Sequence, residues 1–70
     1  MRNTDAERIE RIEQVEVRTG LKKSAIYARV ARGEFPRPIP ITDKARGWLA
    51  SEVSAWIAKR VEARDSGAVT

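Results

Sequence analysis

Three prolines at alternate positions, in Phe35-Pro36-Arg37-Pro38-Ile39-Pro40-Ile41, set the strongest limit on what this 70-residue chain can fold into. Each proline lacks the amide proton that a helix interior or a central strand needs, so residues 35–41 are confined to extended or edge-strand backbone. Any helices must therefore lie on either side of this stretch. With 41% hydrophobic and 34% charged residues, the chain supports one modest core, which excludes a multidomain enzyme and argues against a buried catalytic cleft. It contains no cysteine and no histidine, so disulfides, thiolate metal sites and His-based proton shuttling are excluded, and no metal or cofactor is expected. No apolar run approaches the roughly 18 residues of a membrane span. Met1–Asp5 also lacks the apolar stretch of a signal peptide, so a soluble, cytoplasmic protein with no membrane partner is expected.

Before the proline stretch, Ile12 and Val15 among polar Glu13, Gln14 and Glu16 predict a short amphipathic helix that stops at Thr19-Gly20, where glycine accepts the left-handed conformation. A second start is open at Thr4, whose spacing to Glu7 suits a capping box and whose apolar stripe would run through Ile9. Residues 22–32 predict a second helix with Ile26 and Val30 on one face and Gly33 as its stop. Residues 37–48 read as a hairpin with a turn at Thr42-Asp43-Lys44-Ala45 and a returning strand at Arg46-Gly47-Trp48. Ser51 is a candidate N-cap for a third helix carrying Val53, Trp56, Ile57 and Val61 and running to about Arg64. The domain is then 8–64, with a flexible N-terminus at 1–7 and a flexible tail at 65–70.

The net charge of +4 is unevenly placed. Residues 1–17 carry three basic against five acidic groups, residues 18–46 eight basic against two acidic, and residues 47–70 three of each. The whole excess of positive charge sits in the middle, as expected of a polyanion-binding surface, although a solvated basic face fits the charge equally well. Two helices joined by a short glycine-containing turn, Arg18-Thr19-Gly20-Leu21, match a helix-turn-helix with Leu21 as the apolar plug. If Ile26 and Val30 face inward, Ala25, Ala28, Arg29 and Arg32 face outward and Lys22, Lys23 and Ser24 lead the helix. Small alanines allow close approach to base edges, while the cations reach guanine edges or phosphates. Lys22 and Lys23 oppose the helix dipole by a few tenths of a kcal/mol each, a cost that an anion at that end offsets. Arg37, Lys44 and Arg46 place further cations on the hairpin, which has the form of a wing, with Asp43 at its tip arguing against deep groove insertion.

As a set, Thr19-Gly20-Leu21-Lys22-Lys23-Ser24-Ala25-Ile26-Tyr27, Gly33-Glu34-Phe35-Pro36-Arg37-Pro38, and Gly47-Trp48-Leu49-x-Ser51-Glu52-Val53-x-x-Trp56-Ile57 resemble the AlpA family of phage regulatory proteins over about residues 8–64. The resemblance implies a mainly α winged helix-turn-helix with a small β-hairpin, three helices and a short N-terminal strand at Arg8–Ile12, which favours the shorter first helix. It places Lys23, Ser24 and Tyr27 in the recognition helix and Phe35, Trp48 and Trp56 in the core behind the wing. Tyr27 is left two roles, a phenol on a phosphate or a ring over the wing base. Lys22 departs from the family, which usually has a serine there, and Glu34 in the Gly-Glu-Phe-Pro motif is expected to fix the bend rather than contact DNA.

The leading expectation is a sequence-specific binder of double-stranded DNA, with recognition helix 22–32 in the major groove and wing 37–48 on the backbone. Its role would be that of a prophage or integrative-element transcriptional regulator, a recombination directionality factor (excisionase), or both, in the second case beside a site-specific recombinase. About two helical turns follow Trp56, so a monomer in solution that binds cooperatively on DNA is expected rather than a stable coiled-coil dimer. The alternative is a protein-interaction module, an antagonist of a regulator or recombinase, that uses the acidic N-terminal segment or the apolar wing base. Catalysis is not expected: Glu10, Glu13 and Glu16 recur every third residue on what reads as a solvated face without a partner base.

Overall fold

A computed structural model of the chain describes residues 8–67. The elements in chain order are strand β1 (Ile9–Glu10), helix α1 (Ile12–Thr19), helix α2 (Lys23–Ala31), strand β2 (Ile39–Pro40), strand β3 (Arg46–Leu49) and helix α3 (Ala50–Asp65). The architecture is mainly helical with a small antiparallel sheet in the order β1-β3-β2, as a winged helix-turn-helix requires. The expected N-terminal strand is present and α1 begins at Ile12. The expected flexible segment 1–7, the alternative helix start at Thr4 and residues 68–70 of the expected tail lie outside the described residues.

Two glycines end the first two helices in the left-handed conformation that other residues rarely adopt. Gly20, at φ 77°, closes α1 by donating its amide to the Glu16 carbonyl at 2.8 Å. The Thr19 hydroxyl donates to the Val15 carbonyl at 2.8 Å while its oxygen accepts the Leu21 amide at 3.2 Å, which holds the turn shut. Gly33, at φ 75°, ends α2 in a Schellman arrangement: its amide reaches the Val30 carbonyl at 3.0 Å and the Glu34 amide reaches Arg29 at 2.8 Å. The core is Val15, Ile26, Phe35, Trp48 and Val53, with Ile12, Leu21, Val30, Trp56 and Ile57 partly buried against it. Every element except the short strands β1 and β2 thus contributes an apolar side chain.

The central strand β3 pairs with β1 (Ile9 opposite Leu49, Glu10 opposite Trp48) and with β2 (Ile39 opposite Gly47, Pro40 opposite Arg46). Gly47 is buried where β1 passes, and a Cβ there would lie 2.5 Å from Ile9 Cγ2 and 2.8 Å from the Glu10 carbonyl oxygen. Only glycine lets the two strands approach this closely.

Three expectations are corrected by the fold. Glu10 is not on a solvated face: it is 3% exposed on β1 and accepts hydrogen bonds from Arg8 at 2.9 Å and Arg18 at 2.8 Å. Arg18, counted with the basic stretch, is spent inside the fold, with Nη2 donating to Ser54 Oγ at 2.6 Å. A strand and a helix end bring this pair together across eight residues, which helical spacing from Glu10 to Glu16 does not anticipate. Ser51 is not the N-cap of α3, since Leu49 occupies that position and the Ala50 amide donates to the Arg8 carbonyl at 2.8 Å. The residue ahead of β1 thus satisfies one of the amides left free at the start of α3. The helix also continues to Asp65, one residue past the expected end.

Candidate nucleic-acid interface

Lys22 is the N-cap residue of α2: its backbone is extended (φ −79°, ψ 159°) and its side chain makes no capping bond, so the first turn presents uncapped amides beside two lysines. Lys22, Lys23, Ser24 and Ala28 are exposed, and Ala25 is half-buried beside the inward Ile26. Of the two alanines expected on the outer face only Ala28 is fully exposed, since Ala25 turns partly toward the core beside Ile26; the small exposed face is formed by Ser24 and Ala28.

Of the two roles left to Tyr27, the ring contact at the wing base is the one the fold forms. Its ring lies 5.8 Å from that of Trp48 at the base of the wing, and 39% of the residue remains exposed, with its hydroxyl at the ring's far end. Trp48 is fully buried and Phe35 packs between it and Trp56, with ring centroids 6.3 Å and 5.0 Å apart. The two indoles also hold the proline stretch in place. Trp48 Nε1 donates to the Pro36 carbonyl at 2.7 Å and Trp56 Nε1 to the Glu34 carbonyl at 2.9 Å. Because prolines cannot take part as donors, these acceptor bonds to indoles, with the buried Phe35 ring and the Glu34 amide on the Arg29 carbonyl, tie residues 34–36 to the core.

The wing is β2, β3 and the loop between them. Thr42 Oγ1 accepts the amides of Lys44 (3.2 Å) and Ala45 (3.1 Å), and the Ala45 carbonyl accepts from Ile41 (2.8 Å) and Thr42 (3.2 Å). The loop carries Lys44 into solvent. Arg37 and Arg46, both exposed, come together with Val30, Pro38, Ile39 and Glu52 around an open cleft of about 520 Å³ between α2, the wing and α3. Glu52 on α3 was not anticipated as a neighbour of these two arginines.

The last two expected contacts, Arg29 and Arg32, are less free than their helical positions suggest. Arg32 follows the last residue of α2, and its Nε and Nη2 donate to Glu34 Oε1 at 3.1 and 3.0 Å. Arg29 Nη1 stands 3.6 Å from the same oxygen, with its side chain 35% exposed and its Nε buried without a partner. The hydrogen bond and charge of Arg32 hold the Glu34 carboxyl below the usual carboxylate range, and Glu34 in turn raises Arg32. Glu34 was expected to act through the bend alone. The spacing Arg-x-x-Arg-x-Glu across a C-terminal glycine is the signal that would have found the cluster.

Among the described residues no three acidic side chains gather so as to hold a metal ion, and no helix is long and apolar enough to cross a membrane.

Residues 8–61 match the model of a family described as the prophage CP4-57 regulatory protein, AlpA. The chain is also similar to the uncharacterized protein ORF88 of Enterobacteria phage P4, at 41% identity over 61 residues that cover 87% of this chain and 69% of that protein. The matched segment takes in α1, α2, the whole wing and most of α3.

Proposed function

We propose that this chain, which belongs to the AlpA family of prophage regulatory proteins, exerts its phage-regulatory role by sequence-specific binding to double-stranded DNA. In this reading residues 22–32 enter the major groove and the 37–48 wing follows the backbone. The observation that carries it is the exposed small face of α2 at Ser24 and Ala28, led by the uncapped, twice-cationic helix start at Lys22 and Lys23. A bare Lys-Lys start is unfavourable for an isolated helix and favourable against a phosphate, whose oxygens take the free amides. Tyr27 contributes its hydroxyl to a phosphate while its ring seats the wing base, and Arg37, Lys44 and Arg46 position the wing by charge. No catalytic step is assigned to any residue, and cytoplasmic action follows from the DNA target. Transcriptional regulation and directing a recombinase in excision require the same contacts, since both depend on occupying and shaping a defined DNA site. Binding is by a monomer that occupies adjacent sites cooperatively.

The test is a mobility shift with the upstream region of the protein's own gene against a scrambled duplex, at 50 and 200 mM salt. Preference for the upstream region, falling steeply between about 50 and 200 mM salt, supports the reading. A second reading, a protein-interaction module, is favoured by Val17, which stands 84% exposed on α1 beside acidic Glu13 and Glu16. It is the reading that survives if no shift occurs at either salt concentration.

A further inference from the structure

We infer that Glu34 is a specificity-determining residue: its carboxylate latches Arg32 and Arg29 in the free protein and yields them only to a base edge that offers a better pair of acceptors. This rests on the DNA-binding reading above.

One carboxylate oxygen serves two guanidinium groups. Glu34 Oε1 takes Nε and Nη2 of Arg32 at 3.1 and 3.0 Å and lies 3.6 Å from Nη1 of Arg29. The Arg32 donors engaged form one side of the planar fork, and a fork side bonded to a carboxylate is not available to the O6 and N7 of a guanine. Latched and base-reading states of Arg32 are therefore mutually exclusive on that edge. The acid is also fixed in place: the Glu34 amide donates to the Arg29 carbonyl at 2.8 Å and its own carbonyl accepts Trp56 Nε1 at 2.9 Å. Its backbone is thus held between the end of α2 and α3, so the carboxylate stays beside both arginines. The pair itself is half exposed, at 55% for the Arg32 side chain and 51% for Glu34, so it opens readily when a better partner arrives.

The consequence is discrimination. On DNA of arbitrary sequence only phosphates are on offer, and Glu34 both occupies the arginines and repels phosphate oxygens. A correctly placed guanine presents two acceptors in fork geometry and displaces the acid.

The experiment compares the wild type, Glu34→Gln, Glu34→Gln/Arg32→Ala and Glu13→Gln on a random-sequence 20-bp duplex and on a duplex selected by the wild type from a random pool. Anisotropy titrations at 50 and 200 mM salt read the Kd. Glu34→Gln is isosteric at an exposed site and keeps the backbone bonds. The expected result is at least a threefold tighter Kd on random DNA at 50 mM. The ratio of Kd between the two salts should also grow about 3.5-fold, the effect of one added phosphate contact over a fourfold salt change. The gain should vanish in the double variant, stay below about 1.5-fold for Glu13→Gln, and be smaller on the selected duplex than on the random one. If the wild type binds in a salt-dependent manner but Glu34→Gln matches it or Glu13→Gln, the latch is wrong and the DNA reading stands. An equal gain on both duplexes, or a gain that survives Arg32→Ala, likewise overturns the latch in favour of general repulsion. Absence of wild-type binding to either duplex removes the DNA reading and the latch together.

Discussion

Replacing Arg18 by methionine should cost this small fold about 2–4 kcal/mol, and the magnitude follows from what the guanidinium touches. Its Nη1 lies 2.8 Å from Glu10 Oε1 and 3.5 Å from the Ala50 carbonyl, and its Nη2 lies 2.6 Å from Ser54 Oγ, so one side chain ties β1, α1 and α3 together. Glu10 is 3% exposed, and removing one partner of a buried pair costs about 3–5 kcal/mol because the remaining charge has lost its solvent and its counterion. Arg8 stays on the other oxygen at 2.9 Å but is half exposed, which reduces the penalty without abolishing it. At about 4–8 °C per kcal/mol for a domain of this size, thermal unfolding followed by tryptophan fluorescence should show a drop of about 8–30 °C. The Glu10→Met/Arg18→Met double variant, which removes both charges, should recover a large part of that loss. A drop below about 4 °C for Arg18→Met would refute the reasoning and return Arg18 to the surface charges. The salt dependence of DNA binding should be unchanged in Arg18→Met, measured well below its midpoint, because that arginine faces the fold.

Gly47→Ala should destabilise by about 1–3 kcal/mol in the same assay, because the 2.8 Å approach to the Glu10 carbonyl involves backbone that cannot rotate away. Trp48→Phe leaves the Pro36 carbonyl without its 2.7 Å donor and should cost about 1–3 kcal/mol for the lost bond, with further loss for the vacated volume, read by urea denaturation. The Glu34 carboxyl is lowered by Arg32, so its contribution to stability is present above the ordinary glutamate value and disappears as pH falls through the lowered one. The difference in midpoint between the wild type and Glu34→Gln should therefore be constant near neutrality and shrink in the acid range; a difference that grows on acidification contradicts the pairing. Lys44→Ala should weaken binding to every duplex alike and reduce the salt slope by about 0.9, as one lost phosphate contact does. A loss confined to one sequence would place Lys44 on a base instead.

Much of the fold is legible in local chemistry. Pro36, Pro38 and Pro40 confine the wing entry, Gly20 and Gly33 end the helices at positive φ, and the apolar residues Val15, Ile26, Phe35, Trp48 and Val53 form the expected core. These are short-range constraints, and short-range constraints survive in a sequence. What was not legible depends on where elements meet. Glu10 faces inward because β1 crosses over Gly47, and Arg18 reaches it from the end of α1 with Ser54 supplied by α3. Ser51 has the chemistry of a cap, but α3 starts one residue earlier, where the Arg8 carbonyl just ahead of β1 takes the Ala50 amide. In the candidate interface, helical position put Ala25, Ala28, Arg29 and Arg32 outward with Lys22, Lys23 and Ser24 leading; Ala28 and the leading residues are exposed, while Ala25 is half-buried against the core. The chain reversal at Gly33 then turns Glu34 back onto Arg29 and Arg32, a contact that no helical wheel draws because the acid lies beyond the helix.

The central claim, that α2 and the wing together form the DNA-contacting surface, is tested most directly by amide chemical-shift mapping of the ¹⁵N-labelled protein titrated with the upstream duplex. The account predicts that the largest changes fall on residues 22–32 and 37–46, with small changes along the outer face of α3 at Lys59, Glu62 and Ala63. Changes centred on α3, or on α1 around Glu13 and Val17, with α2 unaffected would contradict it.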